Sequence, residues 1–109
     1  MCEVDEKFIE EQAELCKCLA HPLRLKILSI LSSGPKSVTD IVNILGEPQP
    51  LISRHLIFLK NKGVVKAERR GTNIYYSLVY PELREACRII QQVLKKILAE
   101  KGALAHHIS

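Results

Sequence analysis

The sequence predicts one mainly helical domain over residues 1–109, with a single β-hairpin late in the chain. Two observations carry this reading. Apolar side chains recur at helical spacing in five stretches, and before the last of them residues 64–79 switch to β-branched and aromatic types. Short clusters of Ser, Gly, Pro and Asn punctuate the stretches, with no repeat, linker or low-complexity run between them. At 109 residues and 47% hydrophobic, the chain can build one core. A domain this small leaves apolar helix faces over, and these need a partner chain.

The first helix is expected from about Asp5 to Ala20, with Phe8, Ile9, Leu15, Cys16 and Leu19 on one side and acids opposite. His21-Pro22 interrupts it. Proline suits a first helical position, so a second helix begins there and carries Leu23, Ile27, Ile30 and Leu31 up to Ser32-Ser33-Gly34-Pro35. Ser37 is placed to cap a short third helix, with Asp40 in the position of the usual capping-box Glu and Gly46 as its terminator. Glu47-Pro48-Gln49-Pro50 is expected as a tight turn. A fourth helix then buries Ile52, Leu56 and Leu59 and closes at Asn61-Lys62-Gly63. Strands are expected at Val64–Glu68 and Ile74–Val79, joined by a charged turn, Arg69-Arg70-Gly71-Thr72-Asn73. The last helix, 82–101, carries a long stripe from Leu83 to Leu98.

Charge is unevenly distributed. The formal net charge is +4, but residues 3–14 hold six acids and one Lys, while residues 51–70 hold six basic residues and one Glu. Positive charge concentrated on the second half suits a phosphate-facing surface. Two short helices, a tight turn and a basic hairpin in that order form a winged helix-turn-helix pattern. The major groove is about 12 Å wide and admits one helix, which must hold to its own core on one side and show hydrogen-bonding groups on the other. The fourth helix does so with Gln49, Ser53 and Arg54. Arg suits guanine edges and Gln adenine. Lys60 and Lys62 suit phosphates, and the hairpin residues Arg69, Arg70 and Asn73 can reach the flanking groove or backbone. No glycine-rich phosphate loop, no nucleophile with a placed base and no paired carboxylates point to an enzyme. No run of about 18 apolar residues suggests a membrane span. The acidic N-terminus does not read as a signal peptide, so a cytoplasmic protein with reduced thiols is expected.

The run Gln49-Pro-Leu-Ile-Ser-Arg-His-Leu-Ile-Phe-Leu-Lys-Asn-Lys-Gly-Val-Val65 is followed by Arg69-Arg70-Gly71 and Tyr75-Tyr-Ser-Leu78 and preceded by His21-Pro22-Leu-Arg-Leu-Lys-Ile-Leu28. It resembles the ArsR/SmtB family of repressors over roughly residues 8–100. The resemblance implies a homodimer formed through the first and last helices, binding a double-stranded DNA operator and releasing it when an effector binds. It places Gln49, Pro50, Ser53, Arg54 and His55 against DNA; Thr39 of the third helix completes the expected set. Two metal-ligand patterns of the family are not matched. Where one has a Cys-x-Cys before the acid of the third helix, this chain has Ser37 and Thr39. Where the other has Asp and His opening the last helix and two later His, this chain has Tyr80-Pro81-Glu82, Val93 and Lys96.

The remaining effector candidates are Cys16, Cys18 and Cys87. Soft thiolates suit arsenite or a soft metal ion. Residues i and i+2 lie about 200° apart on a regular helix, so Cys16 and Cys18 cannot both grip one ion without distortion. Three readings stay open: packing, a thiol-based metal or metalloid site, and redox or persulfide sensing. A DNA-binding factor with no small-molecule effector is the competing class, and an RNA-binding winged helix a further one. Cys2 is expected in a flexible arm, and His106-His107 in a solvated tail.

Overall fold

The computed structural model describes residues 5–102; Cys2, His106 and His107 lie outside them. The elements run α1 (Glu6–Cys16), α2 (Pro22–Leu31), β1 (Lys36–Ser37), α3 (Val38–Leu45), α4 (Gln49–Asn61), β2 (Val65–Arg70), β3 (Asn73–Leu78) and α5 (Glu82–Glu100). The strands form an antiparallel sheet in the order β1-β3-β2. The winged helix-turn-helix expectation holds.

Local chemistry sets most of the boundaries. Asp5 caps α1, its carboxylate accepting from the Phe8 amide at 2.7 Å. The first helix is shorter than expected. It stops at Cys16 and passes into a single 3₁₀ turn, Lys17–Leu19. The Lys17 carbonyl accepts from the Ala20 amide at 3.2 Å and from the Arg24 guanidinium at 3.0 Å, so no i+4 amide continues the helix. His21 caps α2, its Nδ1 accepting from the Leu23 amide at 3.1 Å. Ser37 and Asp40 form the expected capping box: the Ser37 Oγ accepts from the Asp40 amide at 3.0 Å, and the Asp40 carboxylate accepts from the Ser37 amide at 3.1 Å. Gly46 ends α3 at φ 68°, a left-handed conformation that disfavours any side chain.

Three further features differ from expectation. Gln49 and Pro50 do not belong to the turn but to the first turn of α4. Pro48 is the N-cap, and its carbonyl accepts from the Leu51 and Ile52 amides at 3.1 Å. Pro50 costs nothing there, because first-turn amides lack helical acceptors. The wing strands run further than expected. Arg69 pairs with Ile74 and Arg70 with Asn73, so these residues stand on strands and only Gly71-Thr72 turns. Gly71, at φ 65°, takes the left-handed position that a tight hairpin requires. Finally, β1 was not expected: Lys36 and Ser37 pair with Tyr76 and Tyr75, fastening the start of α3 to the sheet.

One core joins Leu23, Ile27, Leu28 and Leu31 of α2, Ile41 of α3, Ile52, Leu56 and Leu59 of α4, and Val64, Val65, Tyr76 and Cys18. No residue of α1 or α5 is buried. Ile52→Ala should destabilise the fold by about 2–5 kcal/mol through transfer loss and cavity formation. Ser37→Ala should cost about 1 kcal/mol through the lost cap. Urea unfolding at fixed protein concentration measures both.

Candidate nucleic-acid interface

Helix α4 is two-faced. Ile52, Leu56 and Leu59 are wholly buried, which fixes the helix to the core and turns Gln49, Pro50 and Arg54 outward into solvent. Gln49 Nε2 donates to Ser53 Oγ at 2.8 Å, joining two of the expected DNA contacts across one helical turn. Arg54 is exposed and free of ion pairs among the described residues. Thr39 is exposed on the first turn of α3, and Lys60 is exposed near the end of α4. The wing carries exposed Arg69, Arg70 and Asn73 at its tip. Arg70 is steadied by Glu68 at 3.2 Å and by the Tyr75 ring, 5.1 Å from its guanidinium carbon.

Two expected contacts are differently engaged. His55 is half-buried on the flank of α4, its ring centroid 4.5 Å from that of His21 at the start of α2. Burial, and then the neighbouring His21, Arg24 and Arg54, hold its imidazole below the ordinary value. Lys62 pairs with Glu14 of α1 at 2.8 Å. The hydrogen bonds from Lys17 and Lys62 draw the Glu14 carboxyl down to about 2. The Phe58 ring beneath carries the Arg24 guanidinium 4.0 Å from its centroid and the Lys62 ammonium at 5.5 Å. Glu14, Arg24 and Phe58 thus tie α1 to α4. Sequence reasoning missed this tie because the pair spans 48 positions and no local pattern marks it.

The three thiols occupy different environments. Cys18 is completely buried in the core, and burial pushes its thiol above the ordinary value. Cys16 is exposed and Cys87 is half-buried; burial also raises the Cys87 thiol. Among the described residues no three His, Cys, Asp or Glu side chains gather as a ligand set. Cys16, Cys18 and Cys87 therefore do not surround one ion within the described residues of a single chain.

Residues 21–67 match the model of the arsR family of bacterial regulatory proteins. The chain is 36% identical over 92 residues to the transcriptional repressor PagR of Bacillus anthracis, a match covering 84% of this chain and 92% of PagR. This chain belongs to the ArsR family. The crystal structure of Rv0081 of Mycobacterium tuberculosis superposes with a TM-score of 0.80 at 32% identity, covering 91% of this chain and all of that one. The homodimeric winged helix-turn-helix domain of Mb0332 of Mycobacterium bovis, solved by NMR, superposes with a TM-score of 0.74 at 28% identity, covering 88% and 92%. The chain is accordingly a DNA-binding transcriptional regulator and not an enzyme. No helix among the described residues is long and apolar enough to cross a membrane.

Arg54→Ala should weaken binding to a preferred duplex by about 1–3 kcal/mol and leave random DNA much less affected. Arg69→Ala should reduce the slope of log affinity against log salt by about 1, whereas Lys62→Met should leave it unchanged, because Lys62 already serves Glu14. Fluorescence anisotropy across a salt series reads both. Because the folded state disfavours protonated His55, its contribution is complete above the ordinary histidine pKa of about 6.5 and is lost as pH falls below that value. His55→Gln should flatten this part of the stability profile between about pH 5 and 7.

Proposed function

We propose that the protein is a homodimeric repressor that pairs two copies through α1 and α5 and sets two α4 helices into successive major grooves. The observation that carries this reading is the apolar face of the terminal helices. Phe8, Ile9 and Leu15 on α1, and Ile89, Ile90, Val93, Leu94 and Ile97 on α5, are all largely exposed in one chain. A face of that extent is the mark of an association surface, and the homodimeric state of Mb0332 supports the same assembly. Twofold symmetry then presents the α4 helices about 34 Å apart, one turn of DNA. Repression follows by occupying promoter DNA, in keeping with the resemblance to PagR.

Release is assigned to a thiol-directed effector of the cytoplasm (arsenite, a soft metal ion, or an oxidant or persulfide donor) acting at Cys16 and Cys87. Both lie on the helices that form the association surface, so their modification or ligation acts on the dimer geometry. A coupling of about 1–3 kcal/mol is enough to weaken operator binding five- to about 150-fold. Cys18 is assigned to packing. The complete burial of Cys18 also favours a second reading, in which the cysteines are structural and no small-molecule effector exists.

Val93→Glu should convert the dimer to a monomer in light scattering and lower affinity for a two-half-site duplex by about 100-fold or more. A dimeric Val93→Glu variant contradicts the assembly. Cys16→Ser with Cys87→Ser should keep DNA binding and abolish release by arsenite, cadmium or a persulfide donor. If none of these releases the parent protein, the second reading stands.

A further inference from the structure

The outer face of α4 holds one large apolar side chain. Ile57 is 50% exposed, on a helix whose other outward residues are the polar or small ones expected at DNA. It stands three residues after Arg54 and seven after Pro50, both exposed, so the three follow one another along one stripe of the helix. It is not a displaced core residue. Ile57 lies about 100°, 140° and 200° around the axis from Leu56, Ile52 and Leu59, the residues that anchor the inner face. It is also not part of the association surface, which belongs to α1 and α5. Along the axis it sits about 4.5 Å beyond Arg54, within the span of neighbouring base pairs.

The major groove offers hydrogen-bond donors and acceptors at every base pair and one apolar feature, the C5-methyl group of thymine. An isoleucine pressed against any other base edge strips water from polar atoms and gives them no partner. From this chemistry and the placement of Ile57, we infer that Ile57 is a specificity-determining residue that packs on a thymine methyl beside the base read by Arg54. This rests on the reading of α4 as the helix that enters the major groove. Each half-site then holds a thymine whose methyl, and not its hydrogen-bonding edge, is what the protein selects.

Deoxyuridine removes that methyl and leaves every donor and acceptor in place, so it isolates the contact. A preferred duplex is first obtained by selection from random DNA with the full chain. Each thymine is then replaced by deoxyuridine in turn, and affinity is measured for the parent, Ile57→Ala and Ile44→Ala. Ile44 is a comparably exposed isoleucine on α3 and serves as the control. At one thymine position per half-site, the parent should lose about fourfold per site, the worth of one buried methyl-sized group. Ile57→Ala should bind the thymine and deoxyuridine forms there equally, while Ile44→Ala keeps the parental loss. Unchanged affinity for random DNA confirms that the variant is folded. If the parent tolerates deoxyuridine everywhere, or Ile57→Ala keeps the loss, the contact is overturned. If selection yields no preferred sequence, the reading of α4 fails first and the thymine contact with it.

Discussion

Helix α4 keeps its position because Ile52, Leu56 and Leu59 are sealed into the core. That burial is a geometric constraint as well as a stabilising one. With the inner stripe fixed, the helix cannot rotate, and its outer stripe of Gln49, Pro50, Arg54 and Ile57 is held toward solvent as a rigid unit. The supporting devices act on the same element. The capping box at Ser37 and Asp40 and the left-handed Gly46 fix the length of α3. Strand β1 ties the start of α3 to the wing. The two parts proposed to meet DNA, α4 and the hairpin, are therefore built on a single packed frame.

The terminal helices follow a different logic. They contribute no buried residue to the chain that carries them, yet their apolar faces are extensive. Assembly and core formation are separated in the proposed dimer: α2, α3, α4 and the sheet fold inward, while the exposed apolar faces of α1 and α5 are left to a second copy. The tie from α1 to α4, through Glu14, Lys62, Phe58 and Arg24, joins these two halves. A half-buried ion pair still open to solvent contributes little to stability by itself. Its value is positional, since it ties the end of α1 to the end of α4.

Much of this was legible in the sequence where the governing interaction is local. The Ser37–Asp40 box, the Pro22 start and the Gly46 stop depend on neighbours within a few residues, and the structure keeps each of them. The inner stripe of α4 was equally legible because helical periodicity reports burial. What escaped depends on contacts distant in sequence. Strand β1 is two residues long and exists only through its pairing with Tyr75 and Tyr76. The 3₁₀ turn at Lys17–Leu19 arises where the Arg24 guanidinium takes a helix carbonyl, and it carries Cys18 into the core. Lys62 read as a phosphate contact because it is basic and follows α4; its partner, Glu14, lies in another helix. Apolar spacing on α1 and α5 did reveal surplus faces, but spacing alone cannot say what effector, if any, acts there.

In the proposed dimer, two copies present two α4 helices to one face of DNA, one helical turn apart. Hydroxyl-radical footprinting of the dimer on its selected duplex tests this most directly. The proposed dimer should leave two protected patches on one face, centred about 10 base pairs apart, with the wings protecting the flanking backbone. A single patch, or protection spread evenly around the duplex, would contradict it.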